Sequence, residues 1–302
     1  MCKKFDEIMT SKFQMSMMGE MNFFLGLQVK QTKEGILINQ SKYAKELINK
    51  FGVQHMKTVK IPMIINWKVN PEKVRKSVSS TKYRKIIGSL LYLTASRPDI
   101  AFAVGVCARF QSDPKDAHMD AAKYILRYIK GTPNVGLWYP VDDNFKLLGY
   151  TNSDFAGCAI DRESTSDTCQ FLGNKLISWF SKKQTFVATS TTEAEYVVTG
   201  SCCLQILWLV QQLKDYGIKE REVPIYCDSS SAIAISQNHV HHTRIKHVAI
   251  CHHFIRDHVE KNDVSVLKIH ASIQRADLLT KALPEEWFND LCGRIGLINP
   301  EE

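Results

Sequence analysis

Apolar positions change their spacing near the middle of the chain. Residues 2–13 and Lys42–Phe51 carry apolar residues at helical intervals, with Ser41 placed to cap the second segment. Between them, Asn22–Gln31 (NFFLGLQVKQ) and Ile36–Ile38 flank a Lys33-Glu34-Gly35 turn signal and predict a hairpin. A polar, basic stretch running to Thr81 reads as loop. Three helices follow, over Tyr83–Ala95, Asp99–Phe110 and Lys115–Ile129. The last sets Ala121, Ala122, Ile125, Leu126 and Ile129 on one face, and Gly131-Thr-Pro133 ends it.

From Val135 the runs shorten. Leu147–Thr151, Thr168–Leu172 and Leu176–Phe180 predict three strands with short connections. Glu193–Tyr216 predicts one long helix, with Val197, Ser201, Leu204, Trp208 and Leu209 as its inner face. Pro224–Cys227 is a strand ending in Asp228. A helix at Ser231–Ser236, another near Lys246–Val259, a strand at Val264–Ile269 and a helix at Arg275–Ala282 complete the series. The order βββ-α-β-α-α-β-α predicts an α/β domain, a mixed five-stranded sheet with flanking helices, behind a mostly helical region that holds the hairpin.

The length of 302 residues leaves room for about two domains. No apolar run of membrane-spanning length and no signal-peptide pattern stand out, so no membrane partner is expected. The nine cysteines are scattered and never spaced Cys-x-x-Cys, which favours reduced thiols and an intracellular chain, cytoplasmic or nuclear. Charge divides the chain further. Residues 1–150 hold 24 Lys and Arg against 12 Asp and Glu, whereas residues 151–302 hold 15 against 19. The first half is the better polyanion-facing surface, with its densest basic run at Lys57–Lys85. The second half holds the acids.

Acids that converge from separate elements can hold two divalent ions for phosphoryl chemistry. Asp228 ends a strand, Glu193 and Glu195 open the long helix, and Asp277 lies in the last short helix. Each also has a structural role available: Glu193 and Glu195 follow Ser190-Thr191-Thr192, where capping favours acids, and Asp228 suits a helix cap. The two glutamates lie about 200° apart around a helix, so one of them at most faces such a site. After the first strand, in GYTNSDFAG, an acid is missing and Asn152 stands in its place. Asp154 is two residues on, about 6.6 Å along a strand, too far for the tight geometry of Mg2+.

Residues 146–284 closely resemble the ribonuclease H domain of copia-type LTR retrotransposon Pol polyproteins. The resemblance rests on GYTNSDFAGC, DRESTSDTCQFLGNKLISWFSKKQ, STTEAEY, IYCDSSSAIAIS, HTRIKHV and QRADLLTKALP. MSMMGEMNFFLGLQVKQTKEGILINQSKYAKELINKF resembles the segment after the reverse transcriptase catalytic hairpin, and YRKIIGSLLYLTASRPDIAFAVGVCARF the connection that follows. The resemblance implies a reverse transcriptase thumb and connection fragment over 1–140 without the polymerase site, a ribonuclease H-like domain over 145–284 and a tail over 285–302. It implies hydrolysis of RNA in RNA–DNA hybrids with two Mg2+, Mn2+ being an alternative. It carries the metal-binding acids onto Glu195, Asp228 and Asp277, and the first catalytic acid onto the degenerate position Asn152. An amide supplies no charge, so weakened metal binding and impaired cleavage are expected.

Further departures are Asp167, where the family usually has Gly, and Ala249 with Cys251, where an acid and a base are usual. The implied partners are RNA–DNA hybrid and the remainder of a Pol polyprotein, with Arg244, Lys246 and His247 on the HTRIKH piece as candidate nucleic-acid contacts. Tyr139-Pro-Val-Asp-Asp143 imitates a polymerase Tyr-x-Asp-Asp hairpin, but Pro140 breaks the strand, and no DNA synthesis is expected. His242, His247, Cys251 and His253 fit no standard zinc spacing, and His270 is a candidate aid to product release. The alternatives are a hybrid-binding module that does not cut, and an element remnant with no function.

Overall fold

The computed structural model describes residues 2–17, 19–65, 76–142, 144–157, 163–185, 187–237 and 249–300. Helix α1 (Cys2–Lys12) opens the chain, and the expected hairpin follows as β1 (Phe23–Phe24), β2 (Leu27–Gln31) and β3 (Gly35–Asn39). The stretch expected as its first strand instead doubles back at Leu25-Gly26, where φ is positive, 49° and 83°, so that β1 pairs antiparallel with β2. Gly26 also sits under the Tyr92 hydroxyl, where a side chain has no room. Helices α2 (Ser41–Lys50), α3 (Ser80–Leu93), α4 (Ala101–Ala108) and α5 (Asp116–Gly131) come next, and a 3-10 turn at Pro98–Ile100 leads into α4.

Strand β4 (Gly136–Pro140) is one the hydrophobic pattern did not single out. It lies between β3 and β10 (Leu297–Ile298) in an antiparallel sheet of order β1-β2-β3-β4-β10. The C-terminal residues, expected as a tail, therefore form α10 (Glu285–Arg294) and β10 and return to the first half of the chain. Gly136 permits this crowding, since a Cβ there would lie 2.5 Å from the Ile38 carbonyl oxygen.

The second sheet has the order β7-β6-β5-β8-β9. Strands β5 (Leu147–Asp154), β6 (Thr165–Leu172) and β7 (Lys175–Lys183) are antiparallel neighbours, while β8 (Val223–Cys227) and β9 (Val264–Lys268) add in parallel beside β5. Helices α6 (Thr191–Asp215), α7 (Ser230–Gln237), α8 (Ala249–Glu260) and the short α9 (Asp277–Thr280) supply the crossovers and cover. This is the mixed five-stranded α/β architecture that the element order predicts.

The face by which α6 meets the sheet differs from the expected one. Tyr196, Val198, Cys202, Cys203, Ile206 and Leu209 are buried, whereas Leu204 and Trp208 are 58% and 57% exposed. Gly149 on β5 explains the rotation. A Cβ there would lie 2.7 Å from Cys202 Sγ and 2.9 Å from Ile206 Cδ1, so the helix rests on the strand at these two residues. Leu204 and Trp208 each lie two positions further on, about 200° around the helix, and face out. Helix α6 is also long and apolar enough to cross a bilayer, which the sequence reading did not register. Half of its apolar window is buried in the protein, as for a core helix.

One hydrophobic cluster joins both halves of the chain, from Leu47, Ile87 and Ile125 through Tyr150 and Phe171 to Leu278 and Leu291. A buried ion pair clamps its helical side. Arg97, 1% exposed, donates from Nη2 to Asp99 Oδ2 at 2.7 Å and from Nη1 to the Thr132 carbonyl at 2.7 Å. The Tyr128 hydroxyl donates to the same Asp99 oxygen at 2.7 Å. The end of α3 is thereby tied to the end of α5. Replacing Arg97 with Met strands the Asp99 charge in the core, and urea unfolding is expected to show a loss of about 3–5 kcal/mol. A loss under about 1 kcal/mol would show that the clamp is not a principal support.

Candidate active site

The end of β5 is the centre of the site. On one side β5 pairs in parallel with β8, Thr151 opposite Cys227, so Asn152 and Asp228 occupy successive positions on adjacent strands. On the other side Asn152 lies directly opposite Asp167 of β6. Helix α6 is capped at Ser190, whose Oγ accepts from the Glu193 N–H at 3.2 Å. It delivers Glu195 from its second turn over the strand end. Helix α9 brings in Asp277 at its first position. It is held by Gln274 just before it, whose Nε2 donates to the Thr151 carbonyl at 2.9 Å.

These elements gather Asn152, Glu195, Asp228 and Asp277 in one place, with Asn152, Glu195 and Asp277 buried. Glu195 Oε1 accepts from the Ser153 N–H at 2.9 Å. The Asn152 amide nitrogen donates to Asp277 Oδ1, while its carbonyl oxygen accepts from the Ser153 N–H at 2.9 Å. Asp277 Oδ2 pairs with Lys281 at 2.9 Å. The two glutamates make different contacts. Glu193 Oε2 accepts from the Thr189 N–H and hydroxyl at 2.6 Å each, a capping role at the helix start, and Glu195 alone of the two faces the strand end.

Burial, with Asp228 beside it, pushes the Glu195 carboxyl up to about 8. Burial also raises Asp277, against the pull of Lys281. A dry pocket holding three acids favours either protons or a cation. Ligand atoms of Glu195, Cys227 and Asp228 lie within 4.8 Å of one another. Burial pushes the Cys227 thiol up to about 12, and the other ligand atoms of the group are carboxylate oxygens. That oxygen set suits a hard divalent ion such as Mg2+. Residue 152 adds no charge to it, and its amide already occupies one oxygen of Asp277.

The remaining candidates fall elsewhere. Asp154 ends β5 opposite Thr165, and its carboxylate curls back onto the Gly157 turn. His270 is exposed and caps the turn at Ala271–Ile273 with its side chain. Pro140 ends β4 and Asp142 is bound to Lys175 at 2.5 Å, while Asp143 of the Tyr139 stretch lies outside the described residues. Arg244, Lys246, His247 and the side chains of Cys251 and His253 lie outside the described residues. The sequence reading missed Cys227 and Lys281 as neighbours of the acids. Their positions, one before Asp228 and four after Asp277, were the available signal. It noticed Asp167 without its place: only the pairing of β5 with β6 sets that residue against Asn152.

The fold is an α/β domain with a mixed five-stranded sheet and flanking helices, joined by an antiparallel sheet and helices to a preceding region. Residues 1–65 match the reverse transcriptase (RNA-dependent DNA polymerase) family. The chain is 36% identical over 290 residues to the retrovirus-related Pol polyprotein from transposon RE1 of Arabidopsis thaliana, covering 96% of this chain and 20% of that protein. It is 36% identical over 293 residues to the corresponding polyprotein from transposon TNT 1-94 of Nicotiana tabacum, covering 94% of this chain and 22% of that protein. Among solved structures, LC11-RNase H1 in complex with RNA/DNA hybrid aligns with a TM-score of 0.34 and 16% identity, over 44% of this chain and 93% of that one. Over nearly its whole length the chain is similar to part of these retrotransposon Pol polyproteins, and it spans about a fifth of the length of these two relatives.

The raised Glu195 carboxyl gives a pH prediction. Without metal, the folded chain keeps a proton that the unfolded chain releases above about pH 4.5, so stability falls as pH rises from there towards about 8. A bound cation displaces that proton. The gain in Tm on adding Mg2+ is therefore expected to be larger at about pH 8.5 than at about pH 6, and Glu195→Gln should remove the difference. Equal gains at both pH values would show that no cation binds against Glu195.

Proposed function

We propose that residues 145–284 act on RNA–DNA hybrids as a ribonuclease H-type domain of a Pol polyprotein, with hydrolysis impaired at Asn152. The observation that carries this reading is the convergence of Glu195, Asp228 and Asp277 on the end of β5, with an amide at the fourth corner. Glu195, Asp228 and Asp277 would hold the divalent ions. When bound, two such ions activate water and stabilise the leaving oxygen of the phosphodiester. The Ser153 N–H fixes the Glu195 carboxylate, and Lys281 fixes Asp277. Buried polar groups held in this way need little reorganisation when substrate arrives. Asn152 holds Asp277 by a hydrogen bond but brings no negative charge to balance two dications.

Hybrid is gripped mainly through backbone and groove shape, so binding is expected to outlast the loss of one catalytic acid. That keeps a second reading in view, a hybrid-binding module that does not cut, which the neutral residue at 152 favours. Cleavage of a labelled RNA–DNA hybrid with Mg2+ or Mn2+ tests both. The natural chain is expected to be near silent, Asn152→Asp to gain at least about 100-fold, and Asp228→Asn introduced into that variant to abolish the gain. If the natural chain cuts briskly and Asp228→Asn stops it, the impairment at Asn152 is refuted. Salt-sensitive hybrid binding with no cutting by either form would leave the binding module as the function.

A further inference from the structure

Asp277 reaches the site on a helix that cannot place it unaided. Helix α9 has four residues, one turn, and a single turn has no stability of its own. The Lys281 pair lies within the same segment and moves with it, and its lysine side chain is half exposed. Leu278 and Leu279 are buried, but apolar burial is non-directional and leaves a short helix free to turn or slide a little. Ser181 Oγ ties the far end, donating to the Leu279 carbonyl at 2.8 Å. The near end, where Asp277 stands, is held by the side chains of Gln274 and Arg275.

Gln274 is fully buried, and both ends of its amide are committed. Nε2 donates to the Thr151 carbonyl at 2.9 Å, and Oε1 accepts from the Ala276 N–H at 3.3 Å. Thr151 immediately precedes Asn152, and Ala276 immediately precedes Asp277. One side chain thus joins the backbone at two corners of the site. Arg275 reaches instead to the rings beside the acids. Its guanidinium carbon lies 4.6 Å from the centre of the Phe171 ring and 5.4 Å from that of Tyr150. Tyr150 packs in turn on Tyr226 at 5.1 Å between ring centres. Side chains two apart on a strand share a face, so Tyr150 lies one step before Asn152 on β5, and its register partner Tyr226 stands two residues before Asp228. The rings form a platform across β6, β5 and β8, one step below the acids, and Arg275 is seated over it.

We propose that Gln274 and Arg275 are positioning residues for Asp277: Gln274 fixes how far the start of α9 stands from the end of β5, and Arg275 fixes its rotation against the sheet. The two contacts differ in kind. A hydrogen bond between buried groups has a set length and direction, and a cation held over two ring faces resists sliding across them. A carboxylate that shares an ion with acids on other elements has to be held to within about 0.5 Å, which a single turn of helix does not achieve alone. The proposal rests on the reading of Asp277 as a cation-holding acid, and one of its two readouts needs no ion.

The first readout is the Asn152 side-chain amide in nitrogen-15 NMR of the full chain, its signal assigned by its loss in Asn152→Ala. That amide donates to Asp277, so its shift reports the placement of α9. Gln274→Met, which keeps the length without the hydrogen-bonding groups, and Arg275→Leu are both expected to move the signal towards that of a solvent-exposed asparagine. Leu47→Ala, which weakens the core at α2, is expected to leave it in place, so loss of stability alone does not imitate the effect. The second readout is Mn2+ affinity by calorimetry in the Asn152→Asp chain, where adding Gln274→Met is expected to weaken binding about tenfold or more and adding Leu47→Ala to leave it unchanged. An unmoved amide signal in Gln274→Met would overturn the proposal. If that variant fails to fold, Arg275→Leu, which breaks no backbone hydrogen bond, decides by the same signal. Unchanged Mn2+ affinity with Gln274→Met would overturn it too. If Asn152→Asp binds no Mn2+ while the amide signal moves as expected, the reading of Asp277 as a cation-holding acid fails and its positioning by Gln274 and Arg275 stands.

Discussion

Three buried or half-buried acids crowd the end of one strand, and this constraint shapes much of what surrounds it. Like charges at close range in a dry pocket cannot all ionise without a cation. The protein meets the problem in several ways at once. Glu195 rises towards neutral pH as an acid, Asp277 takes an ion pair from Lys281 and an amide proton from Asn152, and the Ser153 N–H stands against Glu195. One strand further on, Asp167 is buried with no donor and is raised well above the ordinary carboxylate range by desolvation. An amide at 152 eases this crowding, and in the same stroke it removes charge that two dications would need.

The frame around the acids follows from a few close approaches. Gly149 lets α6 settle onto β5 through Cys202 and Ile206, which sets the rotation of that helix and aims Glu195 at the strand end while Glu193 stays with the cap. The parallel pairing of β5 and β8 puts Asp228 beside Asn152. The continuous core from Leu47 to Leu291 and the return of β10 to β4 place the first half of the chain against this domain, so the two share packing as well as sequence order. In the similar Pol polyprotein from transposon RE1 the matching segments sit within a much longer chain.

Much of this was legible beforehand, for identifiable reasons. The short runs at Leu147, Thr168 and Leu176 and the strand before Asp228 announced the sheet, and the acids at strand ends and helix starts marked the candidate site. Strand β4 escaped notice because GLWYP reads as a turn-bounded aromatic stretch, and its pairing partners lie far off in sequence at Ile38 and Leu297. The inner face of α6 was misjudged because that helix is apolar nearly all round, so hydrophobic spacing could not choose between Trp208 and Ile206. A steric fact at Gly149 made the choice. Asp167 looked like an isolated departure, and only strand register shows it to be the cross-strand neighbour of Asn152.

The central claim is that the site is a divalent-cation site short of one carboxylate. Calorimetric titration of Mn2+ into the natural chain and into Asn152→Asp tests it most directly, with no need of substrate. The account predicts weak binding by the natural chain and binding at least about tenfold tighter once the acid is restored. Equally tight binding by both would contradict it, because the charge at residue 152 would then make no difference to the ions the site holds.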